Sequence, residues 1–262
     1  MLILRSVIFN VLFYLNLLLL LVAALPTLLM PRVAILSVAR LWARINSWLL
    51  RTICGITAEF RGLEKIPPGP LIVASKHQSL WETFALLSLF PDPAYIMKRE
   101  LMWIPFFGWY TWKAGMIAVD RSKGSQALTE MNASVRRELA HNRQVIIFPE
   151  GTRRPAGAEP RYKHGVVHLY AETGVTCLPV ALNSGLFWPR RSMRRRPGTI
   201  RVEVLDPIPP SLDKTVFFER LQAAIESATS RLLKQGEQDL AAAGISPLHR
   251  GTISHPPHRP SR

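Results

Sequence analysis

The sequence contains little cysteine and little acidic charge. Two cysteines in 262 residues, Cys54 and Cys177, cannot build a disulfide framework or a cysteine-based metal cluster, and the pair is compatible with a reducing compartment. Only 18 acidic residues oppose 33 lysines and arginines, so the formal net charge is +15, and no acidic residue precedes Glu59. A chain this basic points to an anionic partner, either nucleic acid or an anionic membrane with phosphate-bearing substrates.

Charge of either sign is missing from residues 6–31, a stretch that includes an all-leucine run at residues 17–21. Since about 20 apolar residues are enough to cross a bilayer, this stretch predicts a segment that spans or inserts into a membrane. A cleaved signal peptide is the alternative, with Arg5 before the apolar run and Ala23-Ala24 after it. The run exceeds the ~7–15 residues usual in signal peptides. An uninterrupted apolar segment of this kind disfavours a nucleic-acid partner.

Residues 32–51 have the periodicity of an amphipathic helix. On a helical wheel, one face carries Ser37, Arg40, Arg44, Ser47 and Arg51, and the other carries Ile35, Val38, Leu41, Ile45 and Trp48. A cationic polar face next to a membrane segment is typical of an interfacial helix. The same pattern suits a helix that packs on a globular domain, and the two interpretations are compatible.

From about residue 58 the composition becomes that of a globular domain. Predicted strands cover residues 57–60 (an edge strand), 71–74, 94–97, 115–119, 145–148, 177–182 and 200–204, and predicted helices cover 81–90, 125–141, 166–172 and 217–234. This alternation predicts an α/β domain with a central, mostly parallel or mixed sheet covered by helices. We therefore expect membrane-associated helices over residues 1–51, one α/β domain over 52–235, and a disordered tail over 236–262.

The first candidate site is the segment Lys-His-Gln-Ser-Leu-Trp-Glu at residues 76–82, between a buried strand and a helix. On a regular helix His77 and Glu82 would be ~140° apart, but they meet if His77 lies in the preceding turn. A histidine oriented by a carboxylate is a competent general base. Ser79 and Glu82 also match a capping box, in which the glutamate serves only the helix start. The residues alone leave both interpretations open.

The second candidate site is Phe-Pro-Glu-Gly-Thr-Arg at residues 148–153, at the end of a β-branched strand. Ligands in open α/β sheets bind beyond the carboxyl ends of strands, where Glu150 and Arg153 would lie. The planar fork of Arg153 suits phosphate oxygens, and Gly151 allows close backbone approach. A strand-end turn with solvated charges is the alternative.

Two further blocks are weaker when taken alone. The third runs from Lys98 to Arg121 and encloses an aromatic stretch at residues 103–112, which predicts a wall that faces the membrane or lines an acyl chain, or ordinary core. The fourth, residues 175–183, is a buried strand interrupted by Pro179, which predicts an edge strand or a bulge.

These four blocks, in this order, resemble the four motifs of the glycerolipid acyltransferase family typified by 1-acyl-sn-glycerol-3-phosphate acyltransferase. The resemblance covers residues 71–183 and is specific as an ordered set. It implies that His77 is the general base and Glu82 its acidic partner, although the family norm there is aspartate. The extra methylene of glutamate shifts the carboxylate by roughly 1.5 Å. The substrate-binding candidates are Lys98, Gly115, Arg121, Glu150, Gly151, Thr152, Arg153 and Pro179.

The resemblance implies that a fatty acyl group passes from acyl-CoA or an acyl carrier protein to the sn-2 hydroxyl of 1-acyl-sn-glycerol-3-phosphate, giving phosphatidic acid. Neither a cofactor nor a metal is expected. Arg121 and Arg153 would hold the acceptor phosphate, and backbone amides after His77 would stabilise the oxyanion. Expected partners are the acceptor lysophospholipid, the thioester donor and anionic membrane lipids, with no nucleic acid and with the catalytic domain facing the cytoplasm.

Two alternatives remain open from the sequence. One is a related acyltransferase with another acceptor, such as glycerol-3-phosphate, a lyso-ornithine lipid or another lysophospholipid. The other is a basic membrane-binding protein without chemistry, favoured by the arginine cluster at residues 190–196.

Overall fold

Seven strands form one sheet in the computed structural model, which describes residues 1–245. The strands are β1 Ile56–Arg61, β2 Leu71–Ser75, β3 Pro93–Lys98, β4 Ile117–Val119, β5 Gln144–Ile147, β6 Cys177–Leu182 and β7 Gly198–Val204. Their order across the sheet is β1-β7-β6-β2-β5-β3-β4, and every neighbouring pair is parallel except β6 and β7. The predicted mostly parallel, mixed sheet is confirmed, and β1 is an edge strand.

Helices cover both faces of this sheet. They are α1 Leu2–Ala23, α2 Arg32–Leu49, α3 Trp81–Ala85, α4 Phe107–Lys113, α5 Ser125–Ala140, α6 Gly165–Thr173, α7 Ser184–Phe187 and α8 Lys214–Ala242. The predicted helix at 81–90 is shorter than expected, because α3 passes into a 3-10 turn at Leu86–Ser88.

Strand β2 shows how the two faces are separated. Successive side chains of a strand point to opposite faces of the sheet. Val73 joins the apolar core shared with α1, α2 and α3, whereas Ala74 joins the core shared with α5, α6 and α8. Because β2 and β5 are parallel neighbours, their carboxyl ends emerge at the same edge. That geometry brings the segment at 76–82 next to the segment at 148–153.

Helix α1 is attached to the domain through a narrow face. Its buried side chains are Ser6, Phe9, Asn10 and Phe13. The ring of Phe13 lies 5.6 Å from that of Trp188, centroid to centroid. The outward face is aliphatic, with Leu4 65% and Val11 60% exposed. By length and composition alone, both Leu2–Ala23 and Arg32–Cys54 are able to cross a membrane.

The polar face of α2 differs from the expected row of free cations. Arg44 and Arg51 are exposed, but Arg40 donates hydrogen bonds to the carbonyl oxygens of Leu87, Phe90 and Pro91. Arg40 therefore satisfies backbone carbonyl groups of the segment that follows α3. On the predicted apolar face Ile35 is buried, whereas Leu41 and Trp48 are exposed. The helix packs on the domain and also presents apolar side chains outward.

The expectation that Pro179 marks an edge strand is wrong, and the bulge alternative is correct. β6 lies between β2 and β7. The β6–β7 ladder pairs Val180 with Val204, but the bridge beyond the proline pairs Cys177 with Ile208, one residue out of register. The missing N–H of Pro179 therefore falls where this ladder is interrupted, so an interior strand tolerates it.

The last helix is longer than the sequence predicted. α8 runs to Ala242 rather than ending at residue 234, and Leu240 is fully buried in the core. The start of the expected disordered tail, residues 236–242, is therefore helical, because this turn buries an apolar side chain. Residues 246–262 of that expected tail lie outside the described residues.

Candidate active site

The connection from β2 to α3 places His77 against Glu82. Nδ1 of His77 lies 2.9 Å from Oε1 of Glu82, which is fully buried. His77 precedes the helix and Glu82 lies in its first turn, which is the arrangement that lets residues five positions apart meet. Since a carboxylate accepts a hydrogen bond from Nδ1–H, Nε2 is left free to accept a proton.

Glu82 also organises the backbone of the turn. Its Oε1 accepts hydrogen bonds from the backbone amides of Gln78 and Ser79, both at 2.6 Å. Its Oε2 accepts a hydrogen bond from the hydroxyl of Ser184 at 2.7 Å. The capping contact and the histidine contact therefore share one carboxylate, so Glu82 does more than serve the helix start. The catalytic role of the His77–Glu82 pair stays a prediction. Nothing local in the sequence marked Ser184, which lies 102 positions away.

Those amide bonds change the expected oxyanion site. Backbone amides at the start of the helix after His77 were expected to serve there, but the first two amides after His77, those of Gln78 and Ser79, both donate to Glu82. They are not available to a substrate oxygen, because each N–H is already donated to a buried carboxylate. These two amides of the connection before α3 therefore bind the carboxylate of Glu82.

The histidine is held from several sides. Its ring stacks on Phe148, with centroids 3.9 Å apart and planes inclined by 17°. Its carbonyl oxygen accepts a hydrogen bond from the Arg154 backbone amide at 2.8 Å. The segment after β5 therefore fixes both the ring and the main chain of His77.

His77 opens into a cleft of about 980 Å³ with a cationic end. The basic side chains that line it are Lys98, Arg121, Arg153, Lys163 and Arg190, and no aspartate or glutamate is among its lining residues in the described part of the chain. Lys98, Arg121 and Arg153 were predicted from the sequence. Lys163 and Arg190 were not, because they lie outside the four blocks. This end of the cleft suits a phosphate group.

Gly151 is the point where the second and third blocks meet. The Arg121 guanidinium donates to its carbonyl oxygen at 2.7 Å. Its φ of +65° favours glycine, and an added Cβ would lie 3.4 Å from both Arg121 and Lys163. Gly151 and Thr152 both line the cleft, as predicted.

Three predicted binding residues lie away from the cleft lining. Glu150 is buried and pairs with Lys76, Nζ to Oε1, at 3.0 Å. Gly115 has a φ of +67°, and its carbonyl oxygen accepts a hydrogen bond from the buried Arg143 side chain. Pro179 lies inside β6. Their placement favours support of the site over direct contact with a ligand, and a binding role for them stays a prediction.

The rest of the cleft is apolar and reaches the N-terminal helices. It is lined by Leu17, Leu20 and Leu21 of α1, Ile35 and Trp42 of α2, and Phe107 of α4, among others. Such a wall accommodates a hydrocarbon chain that extends from the cationic end. In residues 1–245 no group of three His, Cys, Asp or Glu side chains is placed to hold a metal ion.

Comparison with known proteins identifies a family model that covers the four blocks. A family model described as Acyltransferase matches residues 57–183, which contain all four blocks. The matched residues are just under half of the chain, so the likeness to the acyltransferase family concerns this domain. The match begins in β1 and ends just after β6, so α1, α2 and α8 lie outside it.

Curated relatives carry the same block of sequence. Over 163 residues the chain is 42% identical to a 1-acyl-sn-glycerol-3-phosphate acyltransferase of Pseudomonas aeruginosa, covering 62% of this chain and 63% of that protein. It is 32% identical over 163 residues to the human 1-acyl-sn-glycerol-3-phosphate acyltransferase alpha, covering 61% of this chain and 58% of that protein. The chain thus spans less than two thirds of the length of either relative.

A solved structure shares the fold over nearly its whole length. The 1-acyl-sn-glycerophosphate (LPA) acyltransferase from Thermotoga maritima superimposes with a TM-score of 0.72 at 22% identity. The match covers 88% of this chain and 99% of that one. The likeness therefore extends beyond the domain that the family model defines.

Proposed function

We propose that this protein transfers a fatty acyl group from a thioester to the sn-2 hydroxyl of 1-acyl-sn-glycerol-3-phosphate, forming phosphatidic acid. The observation that carries the proposal is the His77–Glu82 pair at the junction of a cationic and an apolar part of one cleft. A lysophospholipid acceptor has the same polarity, with a phosphate at one end and an acyl chain at the other. The names of the relatives support this acceptor.

The transfer is direct and needs no covalent enzyme intermediate. Nε2 of His77 takes the proton of the acceptor hydroxyl as its oxygen attacks the thioester carbonyl carbon. When the tetrahedral intermediate collapses, the C–S bond breaks and the imidazolium returns the proton to the leaving sulfur. The buried carboxylate of Glu82 stabilises the imidazolium between these steps. The cationic side chains position the acceptor so that its hydroxyl reaches Nε2.

Purified protein assayed with a panel of acceptors tests this proposal. Acyl-CoA and an acylated carrier protein are each supplied with 1-acyl-glycerol-3-phosphate, glycerol-3-phosphate, a lyso-ornithine lipid or another lysophospholipid. We expect thiol release that depends on 1-acyl-glycerol-3-phosphate. Release that depends on a different acceptor would establish the alternative specificity, and no release with any pair would leave a basic membrane-binding protein.

Arg153→Ala is expected to weaken acceptor binding. Removal of a charged hydrogen bond to phosphate costs about 1.5–3 kcal/mol, so the acceptor KM rises roughly 10- to 100-fold. Arg121→Ala acts in the same direction. Steady-state kinetics with each substrate varied in turn measures the effect, and the donor KM should change little. Arg136→Ala is the matched control, because Arg136 is an exposed arginine of α5 that does not line the cleft. An equal rise in both KM values would contradict a phosphate-binding role.

We also propose that the protein acts at an anionic membrane surface, with its catalytic domain on the cytoplasmic side. The exposed aliphatic face of α1 supports membrane contact, as do exposed aromatic side chains in the third block, Trp103, Trp109 and Trp112. Arg44 and Arg51 supply positive charge next to α1. Within the arginine cluster Arg195 is an exception, since it is buried and donates to Asn10 of α1 at 2.7 Å.

Membrane binding should depend on the outward face of α1. Leu4→Gln, Val11→Gln and Leu18→Gln together are expected to move the protein from liposomes to the soluble fraction, because each buried aliphatic side chain contributes about 2 kcal/mol. Co-sedimentation with anionic vesicles measures the shift. Val216→Gln on α8 is the control, since Val216 is similarly exposed but belongs to another surface. Point variants suit this test better than deletion, which would remove the core residues Phe9 and Phe13. Undiminished binding by the triple variant would exclude this face as the membrane contact.

A further inference from the structure

The proposed reaction needs a hydrogen-bond donor for an oxyanion, and the turn after His77 does not supply one. As the acceptor oxygen attacks the thioester, an electron pair of the C=O double bond moves onto the carbonyl oxygen. The amides of Gln78 and Ser79 already donate to Glu82. An oxyanion in a largely apolar cleft is costly unless a donor faces it. Since the cationic end suits the acceptor phosphate, the donor is to be sought among the neutral side chains of the lining.

The hydroxyl of Tyr95 is a buried donor in this lining. Tyr95 lies in β3, is 8% exposed and lines the cleft together with His77. Its hydroxyl has no hydrogen-bond partner in the described part of the chain. Three other hydroxyls of the lining are satisfied, since those of Thr83, Tyr110 and Thr111 each donate to a main-chain carbonyl oxygen. Buried polar groups normally have a partner, so the Tyr95 hydroxyl is suited to a partner that arrives with a ligand.

Tyr95 belongs to the aromatic group that holds the histidine. The Phe148 ring stacks on His77 with centroids 3.9 Å apart, and its centroid lies 6.2 Å from that of Tyr95. In the parallel pair of β3 and β5, Tyr95 is opposite Ile146, two residues before Phe148. Side chains two positions apart in a strand share a face of the sheet, so Tyr95 and Phe148 pack on the same face. Phe148 is therefore a common neighbour of the base and of the Tyr95 ring.

A second unpaired donor, the indole N–H of Trp42, fits this role less well. Trp42 lines the cleft from α2, and its Nε1 is also buried without a hydrogen-bond partner in the described part of the chain. Among the described residues, the rings next to it are Phe13 and Phe84, with centroids 5.3 and 5.2 Å away. Trp42 therefore belongs to the apolar part of the cleft, whereas Tyr95 shares a ring neighbour with the general base.

We propose that Tyr95 is a further catalytic residue, whose hydroxyl donates a hydrogen bond to the thioester carbonyl oxygen as that oxygen becomes an oxyanion. This inference rests on the proposed acyl transfer. The phenolic O–H bond stays intact, because the proton that moves is the one that His77 takes from the acceptor and returns to the leaving sulfur. When the C–S bond breaks, the C=O bond forms again and the hydrogen bond weakens to one with a neutral ester.

The surroundings keep this hydroxyl neutral and fixed. Burial raises the pKa of the Tyr95 hydroxyl well above its usual value, and the Glu82 carboxylate raises it further. The hydroxyl therefore keeps its proton in the range where a histidine titrates. Its main chain is held by the ladder with β5, and its amide donates to the Met116 sulfur at 3.1 Å. A donor that is already in place needs little reorganisation when the oxyanion forms.

The test is Tyr95→Phe, which removes the hydroxyl and keeps the ring. We expect the single-turnover rate of acyl transfer to fall about 10²-fold, the lower end of what removal of one oxyanion donor costs. Both KM values should stay near those of the wild type, because the hydrogen bond becomes strong only when charge develops on the oxygen. The Tm should be unchanged or higher, since the free protein loses a buried hydroxyl that has no partner.

Tyr170→Phe is the matched control. Tyr170 is also buried, but its hydroxyl donates to the Pro209 carbonyl oxygen and it does not line the cleft. Its loss should lower the Tm, because a satisfied hydrogen bond is removed, and leave the transfer rate at the wild-type value. The two tyrosines are therefore expected to give opposite results for rate and stability.

Three results with folded Tyr95→Phe protein overturn the inference. The first is a wild-type transfer rate. The second is a higher acceptor KM at an unchanged rate, which places the hydroxyl on the ester carbonyl of the lysophospholipid. The third is a lower rate together with a lower Tm, which indicates a structural role. If Tyr95→Phe does not fold, Tyr95→Met decides: a lower rate at unchanged KM values supports the inference, and a wild-type rate overturns it. Wild-type protein that fails to acylate the lysophospholipid would instead overturn the proposed function.

Discussion

His77→Ala should abolish acyl transfer while the protein stays folded. The ring is the proton acceptor that the cleft offers to a bound hydroxyl, and general bases of this kind contribute typically 10²–10⁴-fold to the rate. Side-chain removal also takes away the Phe148 stacking contact, but both rings lie at the edge of the cleft. We therefore expect a large loss of kcat with a modest change in Tm. Thiol release and thermal unfolding, measured on the same preparation, separate the two effects.

The control for this variant is His141→Ala. His141 is exposed at the end of α5, where its Nδ1 lies 2.8 Å from the Arg137 carbonyl oxygen. Its loss should leave turnover unchanged, because it does not line the cleft. If folded His77→Ala protein kept near-wild-type turnover, the general-base assignment would be wrong. The mechanism would then have to draw its base from elsewhere in the cleft.

The sequence was sufficient for the part of the site that is local in the chain. His77 and Glu82 are five positions apart, and the strand before them and the helix after them limit how they can be arranged. The parallel pairing of β2 and β5 then determines that Arg153 joins them, since both strands end at one edge of the sheet. In each case a short-range pattern and a general rule of sheet geometry are enough.

Glu150 shows where that reasoning stops. A motif names the residues at a strand end but does not give the direction of each side chain. Glu150 turns inward to Lys76, whereas Gly151, Thr152 and Arg153 line the cleft. The partner that makes the inward position tolerable, the Lys76–Glu226 pair, spans 150 positions of the chain. No local pattern marks a contact of that separation.

Lys163 and Arg190 were missed for a related reason. In a sequence with 33 lysines and arginines, a single basic residue such as Lys163 carries little information, and the arginine cluster at residues 190–196 pointed to membrane lipids and not to the cleft. Lys163 enters the cleft because its backbone amide donates to the carbonyl oxygen of Pro149, which holds it beside the second block. Arg190 enters because its guanidinium donates to the carbonyl of Arg153 at 2.8 Å. Both contacts are tertiary, so only the fold identifies these two side chains.

Pro179 illustrates a local rule that left two alternatives open, an edge strand or a bulge, between which only the fold decides. Proline lacks one donor, and an edge strand is the simplest place for it. The parallel neighbour β2 forms its hydrogen bonds with the residues of β6 on either side of Pro179; the Lys76 amide, for example, donates to the Val180 carbonyl oxygen at 2.9 Å. The missing donor faces β7, where the register slips. One interrupted position in the β6–β7 ladder is therefore enough to accommodate the proline, and β6 remains an interior strand.

Glu82→Gln should lower turnover steeply with little loss of stability. Glutamine keeps the size of the side chain, and its carbonyl oxygen can still accept the amides of Gln78 and Ser79. Its NH₂ group can donate to Ser184, whose hydroxyl is both a donor and an acceptor. What disappears is the negative charge that stabilises the His77 imidazolium. Loss of the equivalent carboxylate in a serine-protease triad reduces kcat by about 10⁴, and we expect a reduction of at least about 10² here.

Two companion variants separate charge from geometry. Ser184→Ala removes the hydrogen bond to Oε2 and leaves the charge, so turnover should fall only slightly. Glu82→Asp keeps the charge but shortens the side chain by roughly 1.5 Å. In this fold Oε1 has to reach Nδ1 of His77 and two backbone amides at once, so the shorter side chain cannot satisfy all three without movement of the main chain. We expect partial activity for Glu82→Asp, above that of Glu82→Gln. Folded Glu82→Gln protein that turns over at close to the wild-type rate would show that the carboxylate serves the helix turn alone. The imidazolium would then have no buried counter-charge in direct contact, because Glu150 is already paired with Lys76.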